Sequence, residues 1–227
     1  MIGDKKMVSS FLMQMEESRN PENAAAMKKY MKNLFPFLGI KASERKKLSK
    51  TFIQELCAIK DFESYVLNLW ELPEREYQYV AVDFLVKKKK LLDESHVDLI
   101  ESLILTKSWW DTVDPIASHL VGAIFSKSPA LVQRRGTDWV NSENIWLQRS
   151  MILFQLKYKE KTDKELLFSI IERTKHIEEF FIQKAIGWAL REYSKTNPAD
   201  VGRFIESQSL SNLARKEGLK HIEKVIL

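Results

Sequence analysis

The amino-acid sequence predicts an all-α protein, an α-solenoid of HEAT-like helical repeats. Three observations support this fold class. Apolar residues recur with the spacing of a helix face along almost the whole chain, and no long segment alternates with a period of two. Only 7 glycines and 6 prolines interrupt the 227 residues, too few for a protein rich in tight β-turns. Similar segments also recur about every 35 residues.

The helices can be followed in order along the chain. Residues 43–59 are predicted to form one helix, which begins at Ser43 and carries a single apolar stripe. Residues 73–90 begin with Pro73 and acidic residues and end in four lysines, an arrangement that complements the helix dipole at both ends. Three later segments begin in a similar way: residues 129–135, 163–175 and 198–208.

A recurring glutamine marks the repeat. Gln148 lies 35 residues before Gln183, and Gln78 lies two such periods before Gln148. The apolar pattern that follows each glutamine is similar. A period of this length, with two helices in each unit, is typical of α-solenoids, and the lack of a TPR consensus favours a HEAT-like array.

Positions spaced 35 residues apart, counted in both directions from the residue that follows Gln148, define a row of equivalent positions, with a looser match 31 residues after the last of them. Because the second helices of successive repeats line a concave face, such positions are expected to stand side by side in a groove. One carboxylate then lies in a line of cations. The simplest interpretation is a solvated surface with compensated charge, but it leaves the nearby tryptophans unexplained. The row consists of Tyr79, Asp114, Arg149, Lys184 and Arg215.

Two adjacent tryptophans lie beside two carboxylates in residues 107–119, KSWWDTVDPIASH. Trp110 is one helical turn before Asp114 and is expected on the same face of the helix. Trp188 follows Lys184 by four residues in a later helix. The sequence therefore predicts that flat aromatic faces line the groove near the carboxylate.

The two acids of this stretch have different predicted roles. Ser108 and Asp111 match an S-x-x-D capping box, which assigns Asp111 to the start of a helix. Pro115 follows Asp114, so the helix either begins about two residues before Asp114 or bends at this point. In both cases nearby unpaired N–H groups favour the ionised form of Asp114, and Arg149 is expected to lower its pKa further. Asp114 is thus predicted to be a permanent anion in a basic groove.

A single carboxylate beside aromatic faces suits a cationic sugar transition state. Breaking a glycosidic bond develops oxocarbenium charge, which a carboxylate and aromatic faces stabilise. The row contains no second acid to protonate a leaving group. A leaving group that is already cationic needs none, and purines alkylated at N3 or N7 are of this kind. This chemistry favours, without requiring, a glycosylase that acts on alkylated bases in DNA.

Composition limits the other classes of function. The net charge of +5 and the pI of about 9.1 fit a polyanionic partner. The single cysteine excludes an internal disulfide and indicates a reducing compartment. The four histidines are scattered, and neither a metal-ligand pattern nor a Gly-rich phosphate loop is present. No uncharged apolar run approaches 18 residues. A cytoplasmic protein without metal or cofactor is expected.

Five runs resemble the AlkD family of bacterial DNA alkylation repair enzymes, the HEAT-like-repeat alkylpurine DNA glycosylases. The resemblance covers nearly the whole chain and implies one domain over residues 1–227. It implies a monofunctional glycosylase that releases 3-methyladenine- and 7-methylguanine-type bases from duplex DNA in base excision repair, in the cytoplasm at the nucleoid. A solenoid with a DNA groove can work as a monomer, which is the expected state. The runs are YMKNLFPFLGI (30–40), LWELPERE (69–76), TKSWWDTVD (106–114), NIWLQR with ILFQLKYK (144–159) and EEFFIQKAIGWALREY (178–193).

The resemblance also implies roles for individual residues. Asp114 matches the catalytic carboxylate and Arg149 its neighbouring arginine. The concave groove is implied to hold duplex DNA mainly through its backbone, without a closed pocket for the base. The residues implied to contact the lesion or the DNA are Trp110, Trp188, Tyr30, Lys157 and Arg191, and the row adds Lys184.

Two other classes of function remain open from the sequence. A non-catalytic solenoid could bind DNA or a protein in its groove, and it would need the cations but not Asp114. A helical adaptor that binds peptides would be indifferent to salt and to duplex DNA.

Overall fold

The structure is a computed structural model that describes the backbone of residues 2–226 and the side chains of residues 6–224. Every regular element in that part of the chain is helical, which confirms the predicted all-α class. None of the described helices is long and apolar enough to cross a lipid bilayer. The chain divides into two compact units, Met1–Lys88 and Lys89–Leu227.

The first unit consists of α-helices joined by short connections. These are α1 (Ile2–Glu17), α2 (Pro21–Tyr30), α3 (Ala42–Leu48), α4 (Lys50–Leu56), α5 (Glu63–Glu71) and α6 (Arg75–Lys88).

The second unit contains α-helices together with short 3-10 and π-helical segments. The α-helices are α7 (Val97–Leu105), α8 (Trp110–Pro115), α9 (Gly122–Lys127), α10 (Pro129–Leu131), α11 (Thr137–Asn141), α12 (Ile145–Leu153), α13 (Lys164–Thr174), α14 (Phe180–Ser194), α15 (Pro198–Ser207), α16 (Asn212–Leu219) and α17 (Ile222–Ile226). The 3-10 segments are Glu94–His96 and Lys159–Lys161, and the π-helical segments are Ile116–Val121 and Val132–Gly136.

One predicted helix is two helices in the structure. The predicted single helix over residues 43–59 is wrong, because α3 ends at Leu48 and α4 begins at Lys50. The chain turns at the fully buried Ser49, and both short helices pack against α1. Sequence periodicity continues across the turn, which is why a single apolar stripe suggested one helix. The later helices begin close to the proline and acidic residues that predicted their starts.

The recurring glutamines share one structural role. The side-chain amide of each donates to backbone carbonyls six and eight residues earlier: at 2.8 and 3.1 Å for Gln78, 2.6 and 3.4 Å for Gln148, and 2.6 and 3.0 Å for Gln183. Those carbonyls lie at the end of the preceding helix and just beyond it, where carbonyl groups lack an intrahelical partner. Each glutamine ties the second helix of a pair to the end of the first, as a repeat of helix pairs requires.

A buried carboxylate organises the connection between α2 and α3. Glu76 is fully buried, and its Oε1 accepts from the backbone N–H groups of Gly39 and Ile40 at 2.8 and 3.1 Å. Its Oε2 accepts from the N–H of Leu38 at 3.0 Å. Gly39 has a φ of +91°, and a Cβ there would lie 2.0 Å from the carbonyl oxygen of Asn20. The connection therefore requires both the glycine and the carboxylate.

Candidate active site

The helix that carries Asp114 begins at Trp110, and the extended Trp109 precedes it as N-cap without a side-chain cap. The predicted capping box is wrong, because the Ser108 hydroxyl donates instead to the carbonyl of Ile104 at 2.6 Å. Asp111 lies in the first turn, where a carboxylate complements the helix dipole.

Pro115 changes the geometry of the helix without ending it. The helix begins at Trp110, so the alternative of a later start is wrong. Directly after Pro115 the chain forms the π-helical segment Ile116–Val121 and then returns to α geometry in α9. Proline cannot donate to the carbonyl four residues earlier, and a π-helical turn accommodates such an interruption. The hydroxyl of Ser118 donates to the carbonyl of Asp114 at 2.8 Å.

Asp114 and Arg149 form a two-point ion pair. The Nε and Nη2 atoms of Arg149 donate to Oδ1 and Oδ2 of Asp114 at 2.7 and 2.9 Å. The side chain of Asp114 is 13% exposed and that of Arg149 is 4% exposed. The Nη1 atom of Arg149 donates to the carbonyl of Phe181 in α14, which fixes the guanidinium between two helices. Since both carboxylate oxygens accept, the geometry is that of an ionised Asp114.

The direction of the pKa shift differs from the prediction. The pKa of Asp114 is raised, chiefly by burial and also by the charge of Asp111, although the hydrogen bonds and charge of Arg149 act to lower it. The prediction considered only partners that favour the anion and omitted the cost of removing it from water. Asp114 is therefore a carboxylate held in place by one cation in a largely dry position.

Three aromatic rings pack together beside this ion pair. Trp109 lies 5.6 Å from Trp146 and 4.9 Å from Phe181, and Trp146 lies 5.1 Å from Phe181, measured between ring centroids. The guanidinium carbon of Arg149 is 5.8 Å from the centre of the Phe181 ring. The cluster supports the ion pair from the apolar side and limits its movement.

The partly exposed face of α14 carries a stripe of four residues spaced by three or four positions. They are Phe181, Lys184, Trp188 and Arg191. Trp188 therefore lies on the same face of α14 as the phenylalanine that contacts Arg149. Trp110 is partly exposed one turn before Asp114. The aromatic residues predicted to flank the carboxylate thus extend from the helices that hold the ion pair.

The two predicted cations of α14 share a carboxylate that the sequence analysis did not identify. Glu217 in α16 accepts from Lys184 at 2.8 Å and from Arg191 at 3.0 Å, and it also pairs with Lys220. A Cβ at Gly187 would lie 2.5 Å from the Cβ of Glu217, so this glycine permits the close approach of α14 and α16. Three cations against one anion leave the cluster with a net charge of +2.

The predicted end of the row is wrong. Arg215 donates to the carbonyl of Ile205 at 3.2 Å, and Glu217 is the residue that meets Lys184. Arg215 was predicted from a looser match 31 residues after Lys184, whereas Glu217 lies 33 residues after it. Tyr79 lies in the first unit, 4.7 Å from the guanidinium carbon of Arg45.

Hydrogen bonds from Lys184 and then Lys220 lower the pKa of Glu217 to about 2. Because this pKa is below the ordinary value of 4.5, the network stabilises the fold above pH 4.5 and loses that contribution as the pH falls towards 2.

We expect Glu217→Gln to lower the free energy of unfolding at neutral pH. We also expect the free energy of unfolding of this variant to fall less than that of the wild type between pH 4.5 and 2. Urea denaturation measures both, with the exposed Glu206→Gln as control. Equal pH dependence in wild type and Glu217→Gln would contradict the role of the network.

Two further residues predicted to contact DNA have exposed side chains. Tyr30 ends α2 in the first unit and is 70% exposed. Lys157 is exposed beyond the end of α12. No group of three or more metal-ligating side chains occurs among the described residues.

Comparison with known proteins identifies the family. A model of the DNA alkylation repair enzyme family matches residues 11–222. The chain belongs to the DNA alkylation repair enzyme family. A solved structure described as a predicted DNA alkylation repair enzyme from Enterococcus faecalis is 38% identical in sequence, with a TM-score of 0.85. The match covers 91% of this chain and 98% of that one. No curated protein matches. This member of the DNA alkylation repair enzyme family therefore shares sequence and fold with a relative of nearly its own length.

Some residues of the site were missed although the sequence carried a signal. Trp146 and Phe181 are 35 residues apart, so the period that relates Gln148 to Gln183 also relates these two rings. Trp109 was overlooked because only Trp110 lies one turn before Asp114. No sequence signal identifies Glu217, since the close packing at Gly187 brings it to Lys184.

Proposed function

We propose that the protein is a monofunctional DNA glycosylase that hydrolyses the N-glycosidic bond of purines alkylated at N3 or N7 in duplex DNA. The observation that carries this proposal is the two-point ion pair of Asp114 with Arg149, largely buried and supported by an aromatic cluster. Residues 1–227 act as one domain and as a monomer, in the cytoplasm at the nucleoid, during base excision repair. Membership of the DNA alkylation repair enzyme family supports DNA as the substrate.

The carboxylate acts on the sugar. The bond between C1′ and the purine nitrogen breaks, and its electron pair neutralises the positive charge of the alkylated base. The deoxyribose becomes oxocarbenium-like, and the negative charge of Asp114 stabilises it. Water adds to C1′ and releases a proton to solvent, which leaves an abasic site and a neutral free base. Because the base departs neutral, no second carboxyl is needed to protonate it.

Arg149 is the positioning residue for the carboxylate. It holds both oxygens and is itself fixed by the Phe181 carbonyl, so the charge is in place before the transition state forms. Trp110 and Trp188 face the lesion nucleotide and add attraction between their rings and the cationic sugar. Tyr30 makes a further contact with the DNA.

The DNA backbone binds through cations of the second unit. Lys157 is exposed, and Lys184 and Arg191 are about one-third exposed although both pair with Glu217. The net charge of their cluster favours phosphate, and sharing one carboxylate holds the two side chains in place.

The direct test uses the full chain with duplex DNA that contains 7-methylguanine and 3-methyladenine. We expect free methylated purines in excess of a protein-free control, with no added metal and in the presence of a chelator. Unmethylated duplex should release no base. Salt-sensitive binding of duplex DNA without any release would instead support a non-catalytic DNA-binding solenoid, and binding indifferent to salt and DNA would support a protein-binding role.

A further inference from the structure

A basic cavity of about 410 Å³ lies in the second unit. Three segments of the chain line it: the residue that follows α6, the π-helical turn with the start of α9, and the connection after α12. Ser118, whose hydroxyl donates to the Asp114 carbonyl, lies in its wall. Ser118 follows Asp114 by one helical turn, and Asp114 itself is not among the lining residues.

The charges of this cavity are not balanced. Lys89, Lys157 and Lys161 line it, and none of the lining residues is acidic. Within the described part of the chain these three lysines form no ion pair, in contrast to Lys184 and Arg191, which share Glu217. Three ammonium groups that converge without a carboxylate repel one another, and an anion between them removes that repulsion.

A histidine shares the wall with the lysines. His119 lines the cavity, and its Nδ1 atom has no hydrogen-bond partner among the described residues. Burial, followed by the charges of Lys89 and Lys157, lowers the pKa of His119. No lining residue is a carboxylate that could fix the protonation state of His119. The protonation of the imidazole therefore changes when an anion binds in the cavity. The wall also contains the Tyr158 hydroxyl, which donates to the Gly122 carbonyl.

We propose that this cavity is a phosphate subsite in which Lys89, Lys157 and Lys161 surround one phosphoryl group and His119 borders it. The phosphoryl group is a backbone phosphate of the bound DNA. This identification of the ligand rests on the proposed function. A free phosphate compound has the same chemistry and is the other source to be distinguished. The subsite binds the backbone of the DNA strand beside Ser118, one helical turn after Asp114. This contact does not depend on the base sequence.

The His119 imidazole provides a readout that does not depend on catalysis. NMR of the ¹⁵N-labelled imidazoles follows His119, assigned with His119→Gln, during titration with inorganic phosphate at constant ionic strength. We expect a saturable shift of the His119 signals and a rise in its pKa. His96, which pairs with Asp93, is the internal control and should not respond. The double variant Lys89→Gln, Lys161→Gln should weaken the response about tenfold or more, and the exposed Lys216→Gln should leave it unchanged.

A second arm replaces phosphate with an unmodified duplex. We expect the same His119 shift, competition by inorganic phosphate, and a slope of log affinity against log salt that is smaller by about 1 in the double variant, because one phosphate contact is lost. A response to phosphate but not to duplex would retain the subsite and overturn DNA as its source. If neither ligand moves His119 at low ionic strength, the subsite is refuted, even where the protein releases methylated bases. A His119 response without base release would refute the proposed glycosylase and leave the subsite standing.

Discussion

Asp114→Asn is expected to slow base release by about 100- to 1000-fold, while the affinity for duplex DNA stays close to that of the wild type. The substitution removes the negative charge that faces the cationic sugar in the proposed mechanism, but it keeps the shape of the side chain. One Asn oxygen can still accept from Arg149, so the cation keeps a partner. Single-turnover release of 7-methylguanine measures the rate, and fluorescence anisotropy with a labelled duplex measures the affinity.

The matched control is Asp111→Asn, one turn earlier in the same helix. Asp111 does not pair with Arg149, and its Oδ1 accepts from the N–H of Thr112, a bond that an Asn oxygen can also make. This variant should release base at a rate near that of the wild type. Thermal unfolding of both variants excludes loss of structure as the cause. If Asp114→Asn releases base at the wild-type rate, Asp114 is not the catalytic carboxylate.

Glu76→Ala is expected to lower the free energy of unfolding of the first unit by roughly 3–6 kcal/mol. The change leaves the backbone N–H groups of Leu38, Gly39 and Ile40 without their acceptor in a buried position. Hydrogen exchange locates the effect, because amides 38–40 should lose most of their protection. The exposed Glu55→Ala provides the control, with protection unchanged. Retained protection in Glu76→Ala would show that another group satisfies these amides.

The repeat period explains how much of the site the sequence could predict. Equivalent positions of neighbouring helix pairs lie side by side, so a spacing of 35 residues predicted that Asp114 and Arg149 would meet. The helical class followed from the apolar spacing, the few glycines and prolines, and the repeat. The same reasoning failed at Glu217, where the spacing is shorter and a glycine sets the distance between helices.

Other features depend on three-dimensional context that a periodic pattern does not carry. The turn at Ser49 interrupts a pattern that stays apolar on both sides, so sequence periodicity gives no sign of it. The π-helical turn after Pro115 is one of several outcomes that a proline allows. The pKa of Asp114 depends on how completely the aromatic cluster and α14 exclude water, which is a property of packing.

The glutamine bonds within helix pairs also bear on the order in which the chain assembles. Each joins atoms only six to nine residues apart, whereas the bond between Asp114 and Arg149 spans 35 residues. Short loops close at a smaller entropic cost and on a faster timescale than long ones, so individual hairpins can form early. Asp114 then acquires its arginine only after neighbouring hairpins have docked, so partly assembled chains lack the ion pair on which the proposed activity depends.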